Sequence, residues 1–293
     1  MHQKNTFCKL LLGAAGLLAL AAAICLYFAQ TVDYDLSIRH FARNSPYAYG
    51  FAASVIAALL CGIAAGLLRR KTADRTAGIH TGTLGIFAAA VTAFMLLASF
   101  ILSIRGLSAG LPVLQIIRPV LMALSAAFFF LVAAREKKTG GAAALLSLCP
   151  LLFSLVSVLT VYFDNSYGMN APVKICWLLT YIALTRVFTA ETRVVLGRAL
   201  PFWHTLFGVF CLAMTASVGL SQLIISLNDT VGHGFSLIDS ALFVSLALYT
   251  AVRLFTNGTA SASKALSEAT ENAADTAEPE ELTESAEVPD ENK

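Results

Sequence analysis

An arginine and an aspartate each stand inside a stretch that otherwise carries no charge. Arg118 lies in VLQIIRPVLMALSAAFFFLVA and Asp239 in FSLIDSALFVSLALYTAV. An ionisable group at the centre of a bilayer span costs about 2.5–3.5 kcal/mol on insertion scales, so it should face protein or water and find a partner. Two arrangements follow. Arg118 and Asp239 pair at the floor of a polar cavity, or each reaches out to the lipid headgroups, which the long arginine stem favours. Gln222 recurs with Ser217, Ser221 and Ser226 at three- to five-residue spacing. These groups either line the same cavity or hydrogen-bond between helices.

A third cluster is the turn Asp164-Asn-Ser-Tyr-Gly-Met-Asn170-Ala-Pro172-Val-Lys174. Pro172 stands where a helix can begin, and Asn170 can cap it. Asp164 and Lys174 fall close to the two helix ends. The cluster reads as a well-made turn, or as an outward polar site to which Asp164, Asn170 and Lys174 contribute. His204, beside Trp203, is read as interfacial rather than as a ligand. There is no HExxH, Walker loop, GxSxG or GxGxxG, so no enzyme, cofactor or metal is expected. The six cysteines sit in or beside apolar runs with no CxxC, which argues for apolar filler rather than a disulfide framework or zinc site.

The elements that must hold these groups are apolar helices. Of the 293 residues, 57% are hydrophobic and 13% charged, about half the ~25% charge of an average globular chain. Eight stretches are long and apolar enough to cross a hydrocarbon core of ~30 Å. They run from about Leu10 to Gln30, Tyr47 to Leu68, Thr83 to Ile104, Val113 to Ala134, Gly141 to Phe163, Pro172 to Ala190, Phe202 to Leu227 and Phe235 to Phe255. The first is too long for a signal core and reads as an uncleaved span. The segment after it forms a short interfacial helix, with Tyr34, Ile38, Phe41 and Ala42 on one face, or a plain loop. Gly62 and Gly66 make a GxxxG that permits close packing on an unspecified partner.

The expected fold is therefore all-α: a polytopic integral membrane bundle over residues 1-255, followed by a disordered acidic tail over 256-293. That tail holds more than half of the eighteen carboxylates and almost no large apolar residue. Basic residues set the orientation. Lys4, Lys9, Arg69, Arg70, Lys71, Arg75, Arg135, Lys137, Lys138, Arg186, Arg193, Arg198 and Arg253 fall at one set of span ends, and only Arg39, Arg43, Arg105, Arg118 and Lys174 at the other. This places both termini in the cytoplasm. Residues 1-138 and 139-255 form possible four-helix halves, because LRRKTADR is echoed by TRVFTAETR and His80-Thr81 by His204-Thr205.

Two segments, Asp33 to Pro46 and Phe163 to Lys174, resemble a set of multi-spanning proteins of Gram-positive bacteria that carry no assigned activity. The resemblance implies a bacterial plasma membrane and no mechanism. The function expected is a small-solute or ion permease. The alternative is a membrane-embedded interaction, scaffold or sensing subunit, whose protein partner would meet the basic cytoplasmic loops or the acidic tail. The lipid bilayer is the partner expected under either reading, and nucleic acid is not one.

Overall fold

Within a bilayer every backbone N–H and C=O must find its partner inside the segment, and a single uncharged segment can do so only as a helix. The computed structural model describes residues 2–35, 40–70, 82–105, 113–134, 141–166, 168, 170–196, 198, 200–228 and 237–256. It contains α1 (His2–Thr31), α2 (Pro46–Arg70), α3 (Thr83–Arg105), α4 (Val113–Ala133), α5 (Gly141–Phe163), α6 (Pro172–Val195), α7 (Pro201–Asn228) and α8 (Leu237–Thr256). All eight are long and apolar enough to cross a membrane. The chain is an all-α polytopic membrane bundle. Its expected tail, and the basic residues at 71, 75 and 135–138, lie outside the described residues.

Six helices form a closed ring. Each of α3 to α8 packs on the next, and α8 returns to α3. The first two helices stay outside this ring, paired with each other and seated on α7. That seat explains the glycine motif. A Cβ on Gly62 would stand 3.0 Å from the Val209 side chain, and one on Gly66 2.9 Å from Phe202, so the partner of the GxxxG is α7. With α1, α2, α6 and α8 all against it, α7 has 78% of its span buried, compared with 22% for α2. It is the central helix.

Side-chain contacts fix the two ends of the bundle. Cys8, Arg69, Glu191, His204 and Arg253 meet at what we call the near end, where α1 starts and α8 finishes. Gln30 and Gln222 meet toward the far end.

Between α1 and α2 the structure corrects both readings of the connecting segment. Among its described residues there is neither an interfacial helix nor a plain loop. Strands β1 (Tyr34–Asp35) and β2 (His40–Phe41) pair antiparallel, with Tyr34 opposite Phe41. The pairing satisfies backbone groups and puts both rings on one side, 6.0 Å apart and edge to face, against the bundle core. Asn44 then turns the chain through a left-handed conformation, φ 69°. Ser45 caps α2 by accepting the Ala48 N–H at 3.1 Å and donates its own hydroxyl to Asp33 at 2.5 Å. Pro46 follows as the first helical residue, where its missing N–H costs nothing.

Candidate functional site

The ring interior is built by side chains repeating every three or four residues, one per helical turn. On α8 the stripe is Asp239, Phe243, Leu246, Tyr249 and Arg253. On α6 it is Tyr181, Leu184, Phe188 and Glu191, and on α4 Arg118, Met122, Ser125 and Phe129. The α8 and α6 stripes are polar at their ends and apolar or aromatic between, while the α4 stripe runs from Arg118 at one end to Phe129 at the other. Fourteen residues separate Asp239 from Arg253, so the two polar layers lie about 20 Å apart at 1.5 Å per residue.

The far layer holds Arg118. Its Nε donates to Ser157 Oγ on α5 at 3.3 Å, and Nη2 donates to the Tyr181 hydroxyl on α6 at 3.2 Å. Asp239, in the first turn of α8, interacts with it through charge. Four ring helices thus converge on one guanidinium. Arg118 and Asp239 are both half-buried, whereas Ser157 and Tyr181 are buried. Tyr181 was no candidate from sequence, because a tyrosine in an apolar helix usually reads as core.

The turn between α5 and α6 is knitted together from its own polar groups. Lys174 is buried, at 1% exposure, and its Nζ donates to the Asp164 carbonyl oxygen at 2.6 Å. The Asp164 carboxylate accepts the Ser166 N–H at 2.8 Å. Asn170 does not cap α6. The N-cap is Ala171, with no side-chain hydrogen bond, and Asn170 is exposed. The reason is local: Ala171 donates its N–H to the Gly168 carbonyl and accepts from Ile175, so the chain enters the helix on backbone bonds alone.

Gln222 is buried and donates through Nε2 to Gln30 Oε1 on α1 at 2.9 Å. Ser217 and Ser221 bond to carbonyls of their own helix, those of Ala213 and Val218. The described partners of these α7 groups are therefore a neighbouring helix and the α7 backbone.

The near layer was not foreseen. Glu191 of α6 accepts two hydrogen bonds from Arg253 of α8, Nε to Oε1 at 3.0 Å and Nη2 to Oε2 at 2.7 Å. His204 of α7 adds a contact from Nε2 to Oε1 at 3.0 Å. Oε1 of an ionised carboxylate can only accept, so His204 donates from Nε2 and its neutral tautomer is fixed with Nδ1 bare. Glu191 and Arg253 are each 1% exposed and His204 7%. His204 is thus a buried hydrogen-bond partner of Glu191 rather than an exposed interfacial side chain, and Arg253 is buried at its helix end. Arg69 of α2 closes the layer, donating to the Leu254 carbonyl at 2.6 Å and to Thr205 Oγ1 at 3.3 Å.

Aromatic rings separate the two layers. Phe129 meets Tyr249 edge to face at 5.0 Å and Phe188 at 6.0 Å, while Tyr181 lies 5.3 Å from Phe243. The Tyr249 hydroxyl faces Arg253 closely enough to interact. Neither that hydroxyl nor Arg253 Nη1 completes a hydrogen bond of good geometry among the described residues. Searches against protein families, curated proteins and solved structures find no match, so the functional reading rests on this geometry.

Proposed function

We propose that the chain is a small-solute or ion permease of a bacterial plasma membrane, with its solute site in the layer of Arg118, Ser157, Tyr181 and Asp239. The observation that carries the reading is the far layer itself. A guanidinium and a carboxylate from α4 and α8 converge inside a closed helix ring with hydroxyls from α5 and α6. Ionisable groups held inside a membrane bundle mark solute and ion pathways. The aromatic layer and the Glu191–Arg253–His204 cluster supply the barrier on the near side. In this reading the protein is closed toward the near end, and the far layer faces outward. The excess of arginine and lysine at the near end supports a cytoplasmic location for both termini.

The test is uptake into proteoliposomes containing the purified chain, with labelled amino acids, small carboxylates, rubidium and chloride as probes. At least one probe should accumulate above empty vesicles, and Arg118→Gln should abolish that uptake while the protein still inserts. No flux of any probe, or flux unaffected by Arg118→Gln, overturns the proposal. Reporter fusions at Met1 and Lys293 test the orientation, which fails if either reports from outside.

A further inference from the structure

We infer that the surface where α6 meets α7 at the near end binds the phosphate of an anionic phospholipid headgroup, held by Arg186. This site is separate from both ring layers and does not depend on the transport reading. The lipid-facing stripe of α6 is defined by Ile175, Leu179 and Ile182, all about two-fifths exposed. The next residues on that stripe, at the same three- and four-residue steps, are Arg186 and, one heptad on, Arg193; both are exposed. An aliphatic face that has met acyl chains for three turns therefore ends in a guanidinium.

The depth of that guanidinium follows from the register of the two helices. Glu191 and His204 touch, so they share a level. Arg186 lies five residues deeper than Glu191, and Phe207 three residues deeper than His204, or about 7 Å and 4–5 Å at 1.5 Å per residue. The Arg186 guanidinium sits over the Phe207 ring, 5.7 Å from its centroid. The arginine is thus drawn toward the near end, as a side chain seeking the interface would be. Phe207 in turn stacks on Trp203 at 5.5 Å and 18°, and Trp203 is 48% exposed, which suits a ring at headgroup level.

No counter-charge among the described residues neutralises this arginine. Among the described residues no carboxylate lies within ion-pair distance of Arg186, and the only ion pairs at this end are those of buried Glu191. A cation–π contact is a partial partner, and a guanidinium fork matches a phosphate through two parallel hydrogen bonds. The acyl chains of the same lipid would lie along Ile182 and Leu179. Arg193, nearer the helix end, adds a second cation that distinguishes an anionic headgroup from a zwitterionic one.

The experiment uses the full chain in neutral detergent, with lipid retention read by native mass spectrometry and stability by thermal denaturation. Phosphatidylglycerol should be retained and raise the melting temperature, and phosphatidylcholine should do neither. Arg186→Gln should weaken phosphatidylglycerol binding by about tenfold, the loss of one charge-assisted fork. Arg186→Lys should fall between the two. Arg105→Gln, an exposed arginine at the far end, should bind as wild type. Helical circular dichroism of each variant confirms folding, and a surface change at Arg186 leaves the buried layers untouched. Equal retention of the two lipids, wild-type binding by Arg186→Gln, or full reproduction of the stabilisation by inorganic phosphate would each overturn the site.

Discussion

The two polar layers of the ring use arginine in opposite ways. At the near end Arg253 is sealed from solvent and met by a carboxylate through both of its oxygens, with His204 on the same group. Three helices are tied by one charge cluster. At the far end Arg118 is only half-buried and its direct partners are two neutral hydroxyls. The carboxylate of that layer acts through charge. The near guanidinium is committed through Nε and Nη2 to a buried carboxylate, with only Nη1 left over, whereas a guanidinium held by hydroxyls keeps its charge available. The near layer reads as structure and the far layer as a site.

The harshest way to break this contrast is to halve the near pair. Glu191→Ala leaves the Arg253 charge buried and should cost about 3–5 kcal/mol, seen as loss of the monodisperse species on gel filtration in detergent. The double change Glu191→Leu with Arg253→Met should recover most of that loss, because removing both charges also removes their desolvation. If the single and double variants are equally unstable, the near layer is not a matched pair.

The packing of α7 on α8 provides a second test. A Cβ on Gly219 would stand 2.9 Å from the Val244 backbone nitrogen, which cannot move aside without the helix. Gly208 meets only the far end of the Leu254 side chain, at 2.7 Å, and that can rotate. Gly219→Ala should therefore cost about 1–3 kcal/mol in thermal denaturation, as overpacking does, and Gly208→Ala clearly less. Equal losses would mean that the far half of the ring is as compliant as the near half.

Arg118→Gln sharpens the contrast from the other side. It removes hydrogen bonds to two hydroxyls and the charge interaction with Asp239, which is only half-buried, so the stability loss should be about 1 kcal/mol, far below that of Glu191→Ala. The smallest effect is reserved for Tyr249→Phe. Its hydroxyl faces Arg253 but completes no hydrogen bond of good geometry among the described residues, so deleting it should cost less than Arg118→Gln, under about 1 kcal/mol in thermal denaturation.

How much of this could be read beforehand depends on what carries the signal. The spans were legible from bulk apolarity alone, and Pro172 marks a helix start as expected. Arg118 and Asp239 stood out because they interrupt uncharged runs. Glu191, His204 and Arg253 did not. Each lies close to a helix end, where a charge looks the same in sequence whether it meets water or a partner, and they come from three helices. The one available hint was Arg253 continuing the α8 stripe of Phe243 and Tyr249. Gln30 was passed over for the same reason, as a polar residue closing a span. The misassigned cap at Asn170 shows the limit of residue preference, since backbone bonds from Ala171 closed that end without a side chain.

The seat of α1 and α2 on α7 bears on how the molecule is made. Arg69 waits for Thr205, 136 residues further along the chain. At synthesis rates of about 5–20 residues per second, the first hairpin waits roughly 7 to 27 seconds before its permanent neighbour leaves the ribosome. Throughout that interval Gly62 and Gly66 present a bare notch to whatever is nearby. Assembly is therefore out of sequence, the earliest piece depending on a late helix for its seat.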